Sequence, residues 1–142
     1  KTDFKKQSSQ IKFDQISKLF SSGHLAQAVA ECQLLEEKKK ILFSVERIGS
    51  LELQLGDASA AIKSFQTAIK INPKLAEVWF NLGNAFVKFS DFSSAETAYL
   101  QAEKLNAELH QINNNLGNLY ADRNLFDRAI IQFKLAAKKP II

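Results

Sequence analysis

Apolar side chains in this chain recur every three or four positions, and the recurrence itself repeats. Within residues 76–109, Trp79, Leu82, Gly83 and Phe86 fall on one helical face, and Ala95, Tyr99 and Ala102 fall on another. Such spacing follows the stripe of a 3.6-residue helix, which predicts two amphipathic helices joined by a turn. A shift of 34 residues in either direction superimposes this block on its neighbours. Gly83 then falls on Gly49 and Gly117, Leu82 on Ile48 and Leu116, and Ala95 on Ala61 and Ala129. Tyr99 likewise falls on Phe65 and Phe133, and Ala102 on Ala68 and Ala136. Agreement in five columns predicts an all-α fold, a right-handed superhelix of about four stacked helical pairs.

The pattern divides the chain. Residues 1–8 read as a polar lead-in and residues 9–142 as one repeat domain. Its first unit, 9–41, is degenerate; 42–75, 76–109 and 110–142 follow the period, the last ending at Pro140 without a polar capping helix. In the first unit Phe13, Ile16 and Phe20 recur at helical spacing, but Ile16 stands where later units carry glycine. Turn signals are Gly23, Gly56-Asp57, Ser90-Asp91 and Asn124-Leu125, and Asn72-Pro73 stops a helix because a residue before proline leaves the α region. No breaker interrupts Glu36 to Leu42, which predicts a long or bent helix there. Glycine inside a helix costs ~0.5–1 kcal/mol against alanine, so Gly49, Gly83 and Gly117 imply close packing on the facing Ala61, Ala95 and Ala129. Phe65, Tyr99 and Phe133 are expected to fill the space between a pair and the next unit, with Phe86 and Phe92 in the core. Cys32, in the column of Phe65, is expected to be a small buried core residue.

Composition narrows the function classes. With 46% apolar and 24% charged residues the chain is ordinary globular material. No apolar run approaches the ~18 residues of a membrane span, so no membrane partner is expected. A single cysteine cannot close an internal disulfide, which fits a reducing, cytoplasmic compartment. The two histidines and one cysteine are too scattered for a metal site. No histidine is placed to activate Cys32, and every glycine is assigned to packing or a turn. No enzyme activity, cofactor or metal is therefore expected. The net charge of +4 comes partly from Lys5-Lys6, Lys38-Lys39-Lys40 and Lys138-Lys139, the last two groups near predicted helix ends, where cations complement exposed carbonyls.

The third unit resembles a tetratricopeptide repeat, carrying that family's pattern at Trp79, Leu82, Gly83, Phe86, Ala95, Tyr99 and Ala102. The fourth is similar at Leu116, Gly117, Tyr120, Ala129, Phe133 and Ala136, with Asn113 replacing the tryptophan. The second is similar at Ile48, Gly49, Ala61, Phe65, Ala68 and Pro73, although Glu52 holds an aromatic position. The resemblance implies a protein-interaction module whose first helices line a concave, peptide-binding face. On that face it places Phe43 and Arg47 from the second unit; Glu77, Phe80, Asn81, Asn84 and Lys88 from the third; and Gln111, Asn114, Asn115 and Asn118 from the fourth. The face carries Asp14, Glu46, Glu77 and Asp122 against Arg47 and Lys88, so a nucleic-acid partner is not expected. It also lacks the cationic cluster with which chaperone-tail-binding members of the family clamp a terminal carboxylate. Asn81 and Asn115 lie 34 residues apart, as do Asn84 and Asn118. That series is similar to the asparagine ladder of O-linked N-acetylglucosamine transferases, where carboxamides hold peptide backbone. The expected partner is a protein or peptide segment. Two further arrangements are compatible with the sequence: a non-catalytic arm of a glycosyl- or sulfotransferase-like enzyme, or a homo-oligomeric scaffold joined through uncapped ends.

Overall fold

Helix, turn and helix follow one another along the chain, and no strand occurs among the described residues. The computed structural model describes residues 12, 14–18, 21 and 23–139. Phe13, Phe20, the lead-in and Pro140 to Ile142 lie outside them. The helices with defined bounds are α1 (Leu25–Gln54), α2 (Ala58–Ile71), α3 (Ala76–Lys88), α4 (Phe92–Leu105), α5 (His110–Asp122) and α6 (Phe126–Lys138). Contacts divide the chain into two compact units, residues 1–43 and 44–142.

In the first unit α1 begins after Gly23, which adopts a left-handed φ of +82°. Ala28 is buried and Ile16 and Leu35 are half-buried, while Cys32 is exposed. The expected burial of Cys32 is thus overturned. Phe65 and Tyr99, which hold the same column in later units, are buried over a glycine, and in the first unit Ile16 stands in the place of that glycine. Helix α1 continues through residues 36–42 without interruption.

The second unit is built by repeated local rules. Gly56, Ser90 and Asn124 all have left-handed φ, at +85°, +64° and +61°. They terminate α1, α3 and α5 and reverse the chain within each pair. The next residue caps the following helix in two of three cases. Asp57 accepts from the Ala60 amide at 3.0 Å, and Asp91 from the Ser94 amide at 3.1 Å. The Ser94 hydroxyl adds a 2.7 Å bond, and these two contacts hold the Asp91 carboxyl below its ordinary pKa. Leu125 occupies the third position, half-buried and without a side-chain cap. Between pairs, Asn72 and Asn106 accept from the Lys74 and Glu108 amides at 3.1 and 3.2 Å, repeating one loop geometry.

The glycine column has a sharper cause than small residues facing small residues. A Cβ on Gly83 would lie 2.5 Å from Tyr99 Cδ1, one on Gly49 2.8 Å from Phe65 Cε1, and one on Gly117 2.5 Å from Phe133 Cε1. Each aromatic ring therefore lies on the glycine of its own pair rather than filling the space towards the next unit. Complete burial of such a ring contributes about 2–3 kcal/mol, which exceeds the ~1 kcal/mol that a helical glycine costs. Phe65 and Tyr99 are fully or almost fully buried, whereas Phe133 on α6 is 38% exposed. Phe92 also departs from the expected core, because as the first residue of α4 it is 37% exposed.

Candidate functional site

Helices α3 and α5 are the leading helices of consecutive pairs, and a carboxamide from each meets between them. Asn115 Nδ2 donates to Asn84 Oδ1 at 2.7 Å. The same oxygen accepts from the Tyr99 hydroxyl of α4 at 2.6 Å. Burial pushes the Tyr99 phenol up to about 12, against a smaller opposing contribution from its hydrogen bond with Asn115. Like any phenol, the hydroxyl is a neutral donor at physiological pH, and its burial extends that state to higher pH. Two donors use both lone pairs of the Asn84 oxygen, leaving Asn84 Nδ2 as a donor and Asn115 Oδ1 as an acceptor. One donor beside one acceptor matches the needs of a peptide unit, whatever its side chain.

Phe80 stands beside this trio. Its ring centroid is 5.9 Å from that of Tyr99 at a 43° tilt, and the side chain is half-buried. The structure therefore brings Asn84, Asn115 and Phe80 together around Tyr99. Asn81 is half-buried elsewhere on α3, while Glu77 and Lys88 are exposed towards its two ends. Gln111, Asn114 and Asn118 are exposed on α5. Arg47 is exposed on the part of α1 that belongs to the second unit, and Phe43, also exposed, belongs to residues 1–43. The hydrogen bond links Asn84 with Asn115, 31 residues apart, rather than two asparagines at equivalent positions.

Tyr99 is the participant that periodicity does not mark. Its column reads Phe65, Tyr99, Phe133, and the ring does the same packing in each pair. Only the hydroxyl distinguishes it, and only its meeting with Asn84 gives that hydroxyl a task.

A second polar cluster lies where Asn113 replaces the tryptophan of the preceding unit. Asn113 is fully buried and donates to Glu103 at 2.6 Å and to Gln132 at 2.8 Å. Lys139 donates to Asn113 Oδ1 and lies 3.8 Å from Glu103. In the preceding unit Trp79 instead turns its indole N–H to the Pro73 carbonyl, at 2.8 Å. Tyr120 donates to Glu96 at 3.0 Å, and burial, followed by that bond, raises its pKa. Among the described residues no group of three or more His, Cys, Asp or Glu side chains could hold a metal ion, and no helix is long and apolar enough to cross a membrane.

Two sequence models match the chain: one described as TPR repeat over residues 49–89, and one described as tetratricopeptide repeat over residues 80–140. No curated protein matches at a significant level. Solved structures do. The chain is similar to MamA, with a TM-score of 0.65, 20% identity, and 85% of this chain and 71% of that one covered. It is also similar to the second TPR of Spaghetti (RPAP3) bound to the HSP90 peptide SRMEEVD. That match has a TM-score of 0.66 and 18% identity, covering 72% of this chain and 96% of that one. A chain of the CopN-Scc3 complex gives 0.64 at 22% identity, covering 67% and 56%.

Proposed function

We propose that residues 49–140, a run of tetratricopeptide repeats, bind an extended peptide segment along the face formed by the leading helices of each pair. The observation that carries the reading is the Asn84–Asn115 pair, held from beneath by a buried and neutral Tyr99. Carboxamides already held in place need no further side-chain ordering when they meet peptide backbone, which lowers the entropic cost of association. Each such bond contributes only ~0.5–1.5 kcal/mol, so Phe80 supplies apolar contact beside them, and exposed Gln111, Asn114 and Asn118 extend the polar row. Asn81, Glu77 and Lys88, with Arg47 just ahead of that run, complete the proposed set. A peptide-bound TPR among the similar structures supports a peptide role. A protein or peptide partner also fits the surface chemistry better than nucleic acid, because acidic groups on this face offset its two cations.

The test is selection of peptides from a displayed random library against the whole chain, followed by calorimetry. Peptides that bind the native chain are expected to lose most of their affinity for the folded double variant Asn84→Ala, Asn115→Ala. Equal heats for both proteins would reject the site. The peptide SRMEEVD serves as a specificity control. With only Lys88 and Arg47 as cations among the proposed residues, it is expected to give no saturable heat below about 1 mM.

A further inference from the structure

Helices α2 and α4 flank α3 on a different face from Asn84, and between them lies a cleft of about 620 Å³. Its floor is Trp79, Leu82 and Phe86 from α3, and its walls combine Ile69 and Ala98 with Gln66, Ser93, Ser94 and Thr97. The Ser94 and Thr97 hydroxyls donate within α4 and its cap, to Asp91 and the Ser93 carbonyl. At its rim stands Lys70, whose ammonium group meets no carboxylate at ion-pair distance in the described structure. A volume of a few hundred Å³, an apolar lining and few polar groups are the usual properties of a small-ligand pocket.

The repeat supplies an internal control. One unit on, Ile69 is replaced by Glu103, Trp79 by Asn113 and Ala98 by Gln132. There Asn113 bonds to both Glu103 and Gln132, so hydrogen bonds bridge the corresponding space from wall to wall. Phe86 is likewise replaced by Tyr120, whose hydroxyl is tied to Glu96. One groove is closed by polar groups that satisfy each other. Its counterpart over α3 has apolar side chains at those three positions, Ile69, Trp79 and Ala98, and the indole N–H is turned away to Pro73.

We propose that the cleft over α3 binds a small apolar carboxylate, with its hydrocarbon or aryl body on Trp79, Leu82, Phe86 and Ile69 and its acid group paired with Lys70. The apolar part of the lining favours a hydrocarbon or aryl body, since a polar group set against it would lose its hydrogen bonds to water. The single cation at the rim selects an anionic head. This site is independent of the peptide face and stands whether or not that reading survives.

Trp79 is the only tryptophan of the chain, so the cleft carries its own reporter. The whole chain is titrated with dodecanoate while Trp79 emission is recorded, and displacement of anilinonaphthalene sulfonate gives a second readout. Saturable changes with a Kd below about 1 mM are expected. Lys70→Gln is expected to weaken binding about tenfold, the size of one charge-assisted bond. Lys104→Gln, the equivalent change in the bridged groove, is expected to leave binding unchanged. Ile69→Glu imports the sister groove's carboxylate and is expected to abolish the response; if it does not fold, Gln66→Glu on the exposed rim makes the same test. The proposal is overturned if the folded native chain shows no saturable change. Equal binding by native chain and Lys70→Gln overturns it too.

Discussion

At the scale of single residues, the chain uses glycine to seat rings, and the consequences differ between equivalent positions. Gly83→Ala would place a methyl group 2.5 Å from a Tyr99 ring that is almost fully buried and tied to Asn84. Overpacking costs ~1–3 kcal/mol and the gain in helix propensity returns ~1. With a fully packed ring the cost lies in the upper part of that range, so a net loss of up to about 2 kcal/mol is expected in urea unfolding. Gly117→Ala meets a ring that is 38% exposed and can swing aside, so its net effect should be near zero. Equal losses at the two sites would contradict this account. Tyr99 also predicts a pH dependence. Below pH 10 the phenol is neutral in folded and unfolded chains alike. Between about 10 and about 12 the unfolded phenol loses its proton while the folded one keeps it, so stability falls as pH rises. The native chain should lose about 1 kcal/mol per pH unit more than Tyr99→Phe across that window, measured as the difference in urea midpoints.

At the scale of elements, each helix is defined at its ends by a repeated device and on its face by what it buries. The left-handed residues 56, 90 and 124 and the asparagines 72 and 106 recur at the period, so helix boundaries were legible in the sequence. Faces were less legible. Asn113 reads as a lapse from the pattern, yet it joins α4, α5 and α6 through Glu103, Gln132 and Lys139. Asn113→Ala would leave those groups short of a buried partner, at about 1–3 kcal/mol. The expected result is a lower thermal midpoint, with the helix signal of the folded state unchanged. A neutral outcome would mean that water replaces the carboxamide without loss.

At the scale of the whole molecule, burial is distributed unevenly. Between Leu25 and Phe43, Ala28 is the one described residue that is buried, while Val29, Leu34, Ile41 and Phe43 are exposed. In α4, by contrast, Ala95, Ala98, Tyr99 and Ala102 are all within the core. Helical hydrogen bonds with little packing beside them open at low free-energy cost. Amide exchange is therefore expected to be faster across Val29–Phe43 than across Ala95–Ala102, by at least about tenfold. Similar protection in both stretches would count against the division of the chain at residue 43.

The sequence by itself determined the repeat, the helical class, the turn positions and the need for close packing at the helical glycines, though the structure set rings rather than alanines on them. All of these depend on contacts within one pair. Such contacts join residues about half a period apart and return identically each time, as Gly83 with Tyr99 does 16 residues on. Tertiary structure decided which of several equivalent asparagines meet. The offset between neighbouring pairs sets Asn115 against Asn84 and Asn113 against Glu103. The structure also showed what the changes at 103, 113 and 132 do. One period on from Ile69, Trp79 and Ala98, they bridge one groove by hydrogen bonds that its counterpart lacks, a consequence of contacts between helices that the columns alone do not give.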